Sequence, residues 1–112
     1  MKEIKAYIRP TMLDQVVDAL LKHGDFPGVT VSTIEGFGHP KGGGPGELMK
    51  RVKLEIVVLD HQAEEVLQVI VDNARTGSFG DGKIFVSEVG DAVRIRTGDR
   101  GDSAVLDPNT LP

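Results

Sequence analysis

Two short segments carry the residue types that grip phosphate: Thr76-Gly77-Ser78-Phe79-Gly80-Asp81-Gly82-Lys83 and Arg94-Ile95-Arg96-Thr97-Gly98. The first offers glycines, a lysine and backbone N–H groups. The second, read as a strand, sets Arg94 and Arg96 on one side because side chains alternate along a strand. Close backbone approach plus fixed positive charge is what a nucleotide polyphosphate requires. Lys83 is the strongest single ligand here. Asp81 is read as holding the turn, since a carboxylate aimed at phosphate would repel it. Gly77 to Lys83 also fits G-x-x-x-x-G-K, the start of a P-loop. That reading fails on two points. Ile84 stands where a magnesium-binding Ser or Thr belongs, and Ile84-Phe85-Val86 continues as a strand where a P-loop feeds a helix.

Other polar groups say less. His23, His39 and His61 match no compact ligand spacing, and with no cysteine the residues predict no metal centre. No side chain stands out as a positioned general base, so no catalytic residue is assigned. In the basic run Lys50, Arg51 and Lys53, Lys50 reads as solvated surface. Arg51 stays open between a ligand and a charged loop exit.

Composition bounds the classes. The 112 residues suffice for one domain with a core, and 39 % hydrophobic and 27 % charged residues are ordinary for a globular protein. A net charge of −4 and only 4 % aromatics argue against nucleic acid as a partner. No apolar run reaches membrane-spanning length and no leader pattern is visible, so the expectation is a cytoplasmic protein without membrane insertion.

The elements that must position these residues follow from periodicity. Over 2–9, Ile4, Ala6 and Ile8 face one way and Lys5, Tyr7 and Arg9 the other: a half-buried strand that Pro10 ends. Thr11 reads as an N-cap, with Leu13, Val16, Val17, Leu20 and Leu21 as the apolar stripe of a helix that Gly24 stops. Residues 29–34 read as a β-branched strand. Residues 36–46 hold two prolines and six glycines, and predict a mobile loop without regular structure to about Lys50. Residues 52–59 alternate as a third strand. Asp60 reads as the cap of a second helix with Ala63, Val66, Leu67, Ile70 and Ala74 inward, closed by Gly77. Residues 83–89 give a fourth strand and 92–97 a short fifth; 99–112 read as a loose tail.

Strand, helix, strand, loop, strand, helix, strand is an α+β plan, the ferredoxin-like split βαβ (βαββαβ). Its sheet is antiparallel, with both helices on one face and an extra short C-terminal strand. The crossover rule suggests parallel pairing inside each half. The face without helices, with Tyr7, Val57 and Leu59, predicts packing against copies of the chain.

The chain resembles the PII signal-transduction proteins. The resemblance rests on Arg9-Pro10, Leu13-Asp14, Gly36-Phe37-Gly38, the run from Val52 to Val58, Ala74-Arg75-Thr76-Gly77, Gly80 to Val86, and Val93 to Gly98. It implies one domain over 1–98, a homotrimer, and ATP or ADP bound between subunits, with magnesium accompanying ATP. It further implies control of a partner (a transporter, an enzyme or a transcription regulator) through a flexible T-loop, here about 38–51. On this match Thr76, Gly80, Asp81, Gly82 and Lys83 form the B-loop around the phosphates. Arg94 and Arg96 form the C-loop reaching in from a neighbour. Gly36, Phe37 and Gly38 form the T-loop base beside the nucleotide, and Tyr7 flanks the adenine. His39 would then stand at the mouth of the site, placed to meet phosphate or to respond to pH.

Departures narrow that expectation. His39-Pro40 replaces the family's Arg-Gln, and proline supplies no ligand for the metal that joins ATP to 2-oxoglutarate. Arg51 replaces the lysine that holds the oxoacid. The loop is several residues shorter, without the tyrosine or serine modified in some relatives. The expectation is a short-loop member that binds adenine nucleotide without metal-bridged 2-oxoglutarate. Two other readings use the same cleft differently: a slow ATP-hydrolysing enzyme, and a structural or metal-tolerance trimer of the CutA type.

Overall fold

The computed structural model describes residues 1–23, 28–38 and 46–106. Strand β1 (Lys2–Ile8) leads through a 3-10 turn (Pro10–Met12) into helix α1 (Leu13–Lys22) and strand β2 (Thr30–Phe37). Strand β3 (Leu48–Val58) leads through a second 3-10 turn (Asp60–Gln62) into helix α2 (Ala63–Ala74) and strand β4 (Gly82–Glu88). A single helical turn, α3 (Asp102–Val105), follows.

The sheet order is β2-β3-β1-β4, and every neighbouring pair is antiparallel. This is the ferredoxin-like α+β plan. The expected parallel pairing inside each half does not occur, because β3 lies between β1 and β2, and β1 lies between β3 and β4. Each half is a split βαβ unit whose strands run parallel without touching.

Burial explains the layers. In β1, Ile4, Ala6 and Ile8 are buried, and in β3, Val52, Leu54, Ile56 and Val58. Val16 and Leu20 of α1 and Val66, Ile70 and Ala74 of α2 close over them. The opposite face keeps Lys5, Tyr7, Lys53, Glu55 and Val57 half-buried. Glu3–Lys5 and Lys53–Glu55 ion pairs of 3.4 and 3.1 Å populate it, and Tyr7 packs edge-on to Phe85 with centroids 5.9 Å apart. Glu55's hydrogen bond and charge raise the Lys53 pKa. Leu59 does not belong to this face: it follows the end of β3 and is buried at the start of the second 3-10 turn.

Several boundaries differ from those the sequence suggested. Gly36 and Phe37 are in β2, and β3 begins at Leu48, so the loop is shorter than 38–51. Direct pairing of Phe37 with Leu48 and Glu35 with Lys50 supplies hydrogen bonds that local propensity did not promise. The loop tip, with His39, Pro40 and the glycine run, lies outside the described residues, as does Gly24. Thr11 and Asp60 do not cap α1 and α2, for each sits inside a 3-10 turn. Asp60 instead accepts from the Met1 ammonium at 2.8 Å, while Gln62 Oε1 accepts the Leu59 N–H at 3.0 Å. Helix α2 ends at Ala74, before Gly77.

The expected fifth strand is absent. β4 is an edge strand, but the chain after it does not add to that edge and folds back on itself. Val93 bridges Arg100, Arg94 N–H donates to Asp99 O at 2.9 Å, and Gly98 N–H donates to Arg94 O at 2.7 Å. Residues 92–101 therefore form a small finger with Ile95, Arg96 and Thr97 in its turn. The expected loose tail from residue 99 includes one side of this finger and α3.

Candidate functional site

The glycine-rich loop is built around one carboxylate. Asp81 accepts hydrogen bonds from the Thr76 and Gly77 amides at 2.8 and 2.9 Å, from the Thr76 hydroxyl, and from Arg9 Nε at 3.0 Å. The Thr76 hydroxyl and amide, with Arg9 and Gly77 adding to them, hold the Asp81 carboxyl far below the usual carboxylate range. It is an anion facing into the loop at neutral pH. Asp81 and Thr76 thus shape the turn, as the sequence suggested for Asp81.

Gly82 joins the loop to the sheet. It has φ +106°, and a Cβ there would fall 1.7 Å from the Tyr7 carbonyl oxygen. Only glycine lets β4 approach β1 this closely. The pairing Tyr7–Lys83 sets both side chains on the face without helices, with Lys83 exposed. Lys83 is therefore a cation at the loop's foot.

Arg9 was missed in the sequence. It donates to Asp81 and to the Phe79 carbonyl oxygen, holding the loop from the end of β1. Pro10 restricts Arg9 to extended backbone, observed at φ −64° and ψ 136°, and so keeps its side chain on the Tyr7 face. That signal was present, but its partner is 72 positions away. Arg51 comes to the same corner: its Nη2 would lie 3.0 Å from a Cβ on Gly80, and that of Arg9 3.4 Å. Arg51 Nη1 donates to the Lys50 carbonyl oxygen at 2.8 Å. Two guanidinium groups thus converge on Gly80.

The other expected residues lie elsewhere in the chain. Gly36, Phe37 and Gly38 are at the same end of the sheet but on its far edge, with β3 and β1 intervening. Arg94 and Arg96 follow the opposite end of β4, about 20 Å from the loop at 3.3 Å per strand residue. They do not share a strand side. Arg94 is mostly buried, with Nη1 2.8 Å from Asp99 Oδ2 and Nη2 2.6 Å from the Ser103 carbonyl oxygen. Arg96 is exposed in the finger's turn. One chain alone therefore does not assemble the two segments into a cradle.

Beside the loop, on the helix side, α2 and β4 enclose a pocket of about 390 Å³. Ile8, Leu67, Ile70, Val71 and Ile84 line it, and Arg75 and the Asp81–Lys83 segment of the loop border it. Among the described residues no group of His, Asp or Glu is arranged to hold a metal ion, and no helix is long and apolar enough to cross a membrane.

A ferredoxin-like sheet with a carboxylate-pinned glycine loop at one corner defines a small α+β domain. The pattern of the family described as Nitrogen regulatory protein P-II matches residues 1–99, and the chain belongs to that family of signal-transduction regulators. A nitrogen regulatory protein P-II homolog of Arabidopsis thaliana is 46 % identical over 111 residues, which is 91 % of this chain and 56 % of the relative. The chain thus spans little more than half of that relative's length. The protein from Microchaete diplosiphon is 45 % identical over 113 residues, covering 94 % of this chain and 100 % of its own. A crystal structure of Arabidopsis thaliana PII bound to citrate superposes with a TM-score of 0.80 at 47 % identity, covering 92 % and 90 % of the two chains.

Proposed function

We propose that the chain is a regulator that binds ATP or ADP at the Gly80–Lys83 loop and reports it to a partner protein through the β2–β3 hairpin. The observation that carries this reading is the loop itself. Asp81 is spent internally on Thr76, Gly77 and Arg9, which fixes the loop and leaves Lys83 as a cation for phosphate. Preformed donors and fixed charge are what a polyphosphate selects. Arg96 would complete the grip from a second copy in a cytoplasmic homotrimer, with Tyr7 and the Gly36-Phe37-Gly38 strand end flanking the base. Magnesium would arrive with ATP. The regulated partner is a transporter, an enzyme or a transcription regulator.

Binding without turnover is favoured over slow hydrolysis, because Asp81, the carboxylate nearest the loop, is committed to the turn and cannot serve as a base. Equilibrium dialysis with labelled ATP and ADP tests the reading. Saturable binding without released phosphate is expected. Steady release of phosphate would make the protein an enzyme, and no binding would favour the structural trimer.

A carboxylate effector is a second reading. The convergence of Arg9 and Arg51 on Gly80 favours it, and the related Arabidopsis structure is bound to citrate. Direct pairing with guanidinium needs no metal bridge. Calorimetry with citrate and with 2-oxoglutarate, each with and without Mg-ATP, tests this. Tight 2-oxoglutarate binding only with Mg-ATP would restore the metal-bridged mode.

A further inference from the structure

The chain holds three methionines, and one is placed differently from the others. Met1 and Met12 are half-buried, whereas Met49, near the start of β3, is 44 % exposed. Its cross-strand partner is Gly36, which has no side chain to cover it. Even a Cβ built on Gly36 would meet nothing within 4 Å. Met49 therefore has an open flank on the β2–β3 hairpin.

Its neighbour on that face is Arg51, two positions on along the strand. Arg51 Nη2 lies 3.9 Å from Met49 Sδ. The same nitrogen would lie 3.0 Å from a Cβ on Gly80. One guanidinium nitrogen thus stands between a sulfur and the glycine-loop corner. A thioether is a weak acceptor and leaves that nitrogen available to the corner. A sulfoxide is polar, and its oxygen is a far better acceptor.

We propose that Met49 is a site of reversible oxidation by hydroperoxides, and that its sulfoxide captures Arg51 Nη2 and draws it from the Gly80 corner. In the forward step a lone pair on Sδ attacks one oxygen of the hydroperoxide. The O–O bond breaks and an S–O bond forms. The proton on the transferred oxygen passes to the departing one, which leaves as water or an alcohol. Sulfur is oxidised by two electrons and the peroxide is reduced by two. A thiol-dependent methionine sulfoxide reductase reverses the change: the oxygen leaves as water and two thiols become a disulfide. The proposal rests on the reading above in which Arg51 meets the anionic end of a ligand, and adds a means of withdrawing that contact. Arg9 stays bonded to Asp81, so the oxidised protein keeps part of its grip.

Hydrogen peroxide is the probe. The whole chain is treated for increasing times, and the peptides holding Met12 and Met49 are followed by mass spectrometry. Met49 is expected to gain oxygen first. Calorimetry with citrate and with ATP, before and after, should show a loss of about ten-fold, the worth of one charged hydrogen bond. Treatment with the reductase should restore the affinity. Met49→Leu, close in volume and without sulfur, should bind as the untreated wild type does and ignore peroxide. The Arg51 Nε–H resonance, identified by its loss in Arg51→Lys, reads the capture without any ligand. It should shift on oxidation of the wild type and stay in place in Met49→Leu. Oxidation of Met12 ahead of Met49 overturns the proposal. So does a Met49 sulfoxide that leaves either the Arg51 resonance or the measured affinities unmoved. A resonance that shifts in protein binding neither citrate nor ATP sustains the capture and overturns the anion reading instead.

Discussion

Gly82→Ala is the sharpest test of how the loop is tied to the sheet. Two costs add. At φ +106° an alanine is strained by about 1–3 kcal/mol. Its Cβ would also sit 1.7 Å from the Tyr7 carbonyl oxygen, a backbone atom that cannot swing away. The first rungs of the β1–β4 ladder, at Ile8–Gly82 and Tyr7–Lys83, must open to admit it. One or two backbone hydrogen bonds at about 0.5–1.5 kcal/mol each bring the total to about 1.5–6 kcal/mol. Gly77→Ala is the matched control. Its φ of +88° carries similar strain, yet nothing lies within 4 Å of the added carbon, so about 1–3 kcal/mol is expected. Urea unfolding of both variants, repeated at several protein concentrations because assembly shifts apparent stability, gives the difference directly. Equal destabilisation of the two would refute the claim that close strand approach, rather than backbone conformation alone, requires glycine at position 82.

Lys83→Ala should weaken ADP binding by roughly 1.5–3 kcal/mol, the worth of a charged hydrogen bond, when measured by calorimetry; unchanged affinity would put the site elsewhere. Asp81 has a depressed pKa in the folded state, so its contribution is fully present above the unfolded value near about 4 and is lost as pH falls through the lower folded value. Asp81→Asn should therefore flatten the acid limb of stability against pH below about 4, and an unchanged limb would show that the carboxylate is not what the loop is pinned by. Leu20→Ala, fully buried on the inner face of α1, should cost about 2–5 kcal/mol, whereas Leu21→Ala, 64 % exposed, should stay within about 0.5 kcal/mol by thermal or urea unfolding.

What the sequence made legible was what repeats at short range. Alternation located β1, β4 and most of β3, and the helical stripe located α1 and α2, though Leu21 was wrongly counted inward. The type of a residue misled where a neighbouring turn had priority. Thr11 and Asp60 look like caps, yet Pro10 and the Leu59–Gln62 hydrogen bond start each helical segment as a 3-10 turn. Alternation misled once more at Val93-Arg94-Ile95-Arg96. That pattern mimics a strand, but the chain there pairs with itself instead of joining the open edge of β4. Lys83, Gly82 and the turn-holding role of Asp81 could be read from one loop. Arg9 could not, because its partner becomes visible only once β1 and β4 are in register.

That register also explains how a ligand at one corner could speak to the hairpin. The end of β1, the starts of β3 and β4, and the end of β2 all lie at the same edge of the molecule. Arg51 spans the gap. Its backbone belongs to the β2–β3 hairpin, where it pairs with Ile34, and its guanidinium reaches Gly80 while bonding the Lys50 carbonyl. Any anion that draws Arg51 away from Lys50 acts on the hairpin's own backbone without passing through the core. A bound group can shift the hairpin only as far as it interacts differently with its alternative positions. A terminal phosphate or carboxylate within reach of Arg51 meets that condition, and an adenine ring held near Tyr7 does not. On the proposed nucleotide reading, discrimination between ligands should therefore be read at Arg51 and affinity at Lys83.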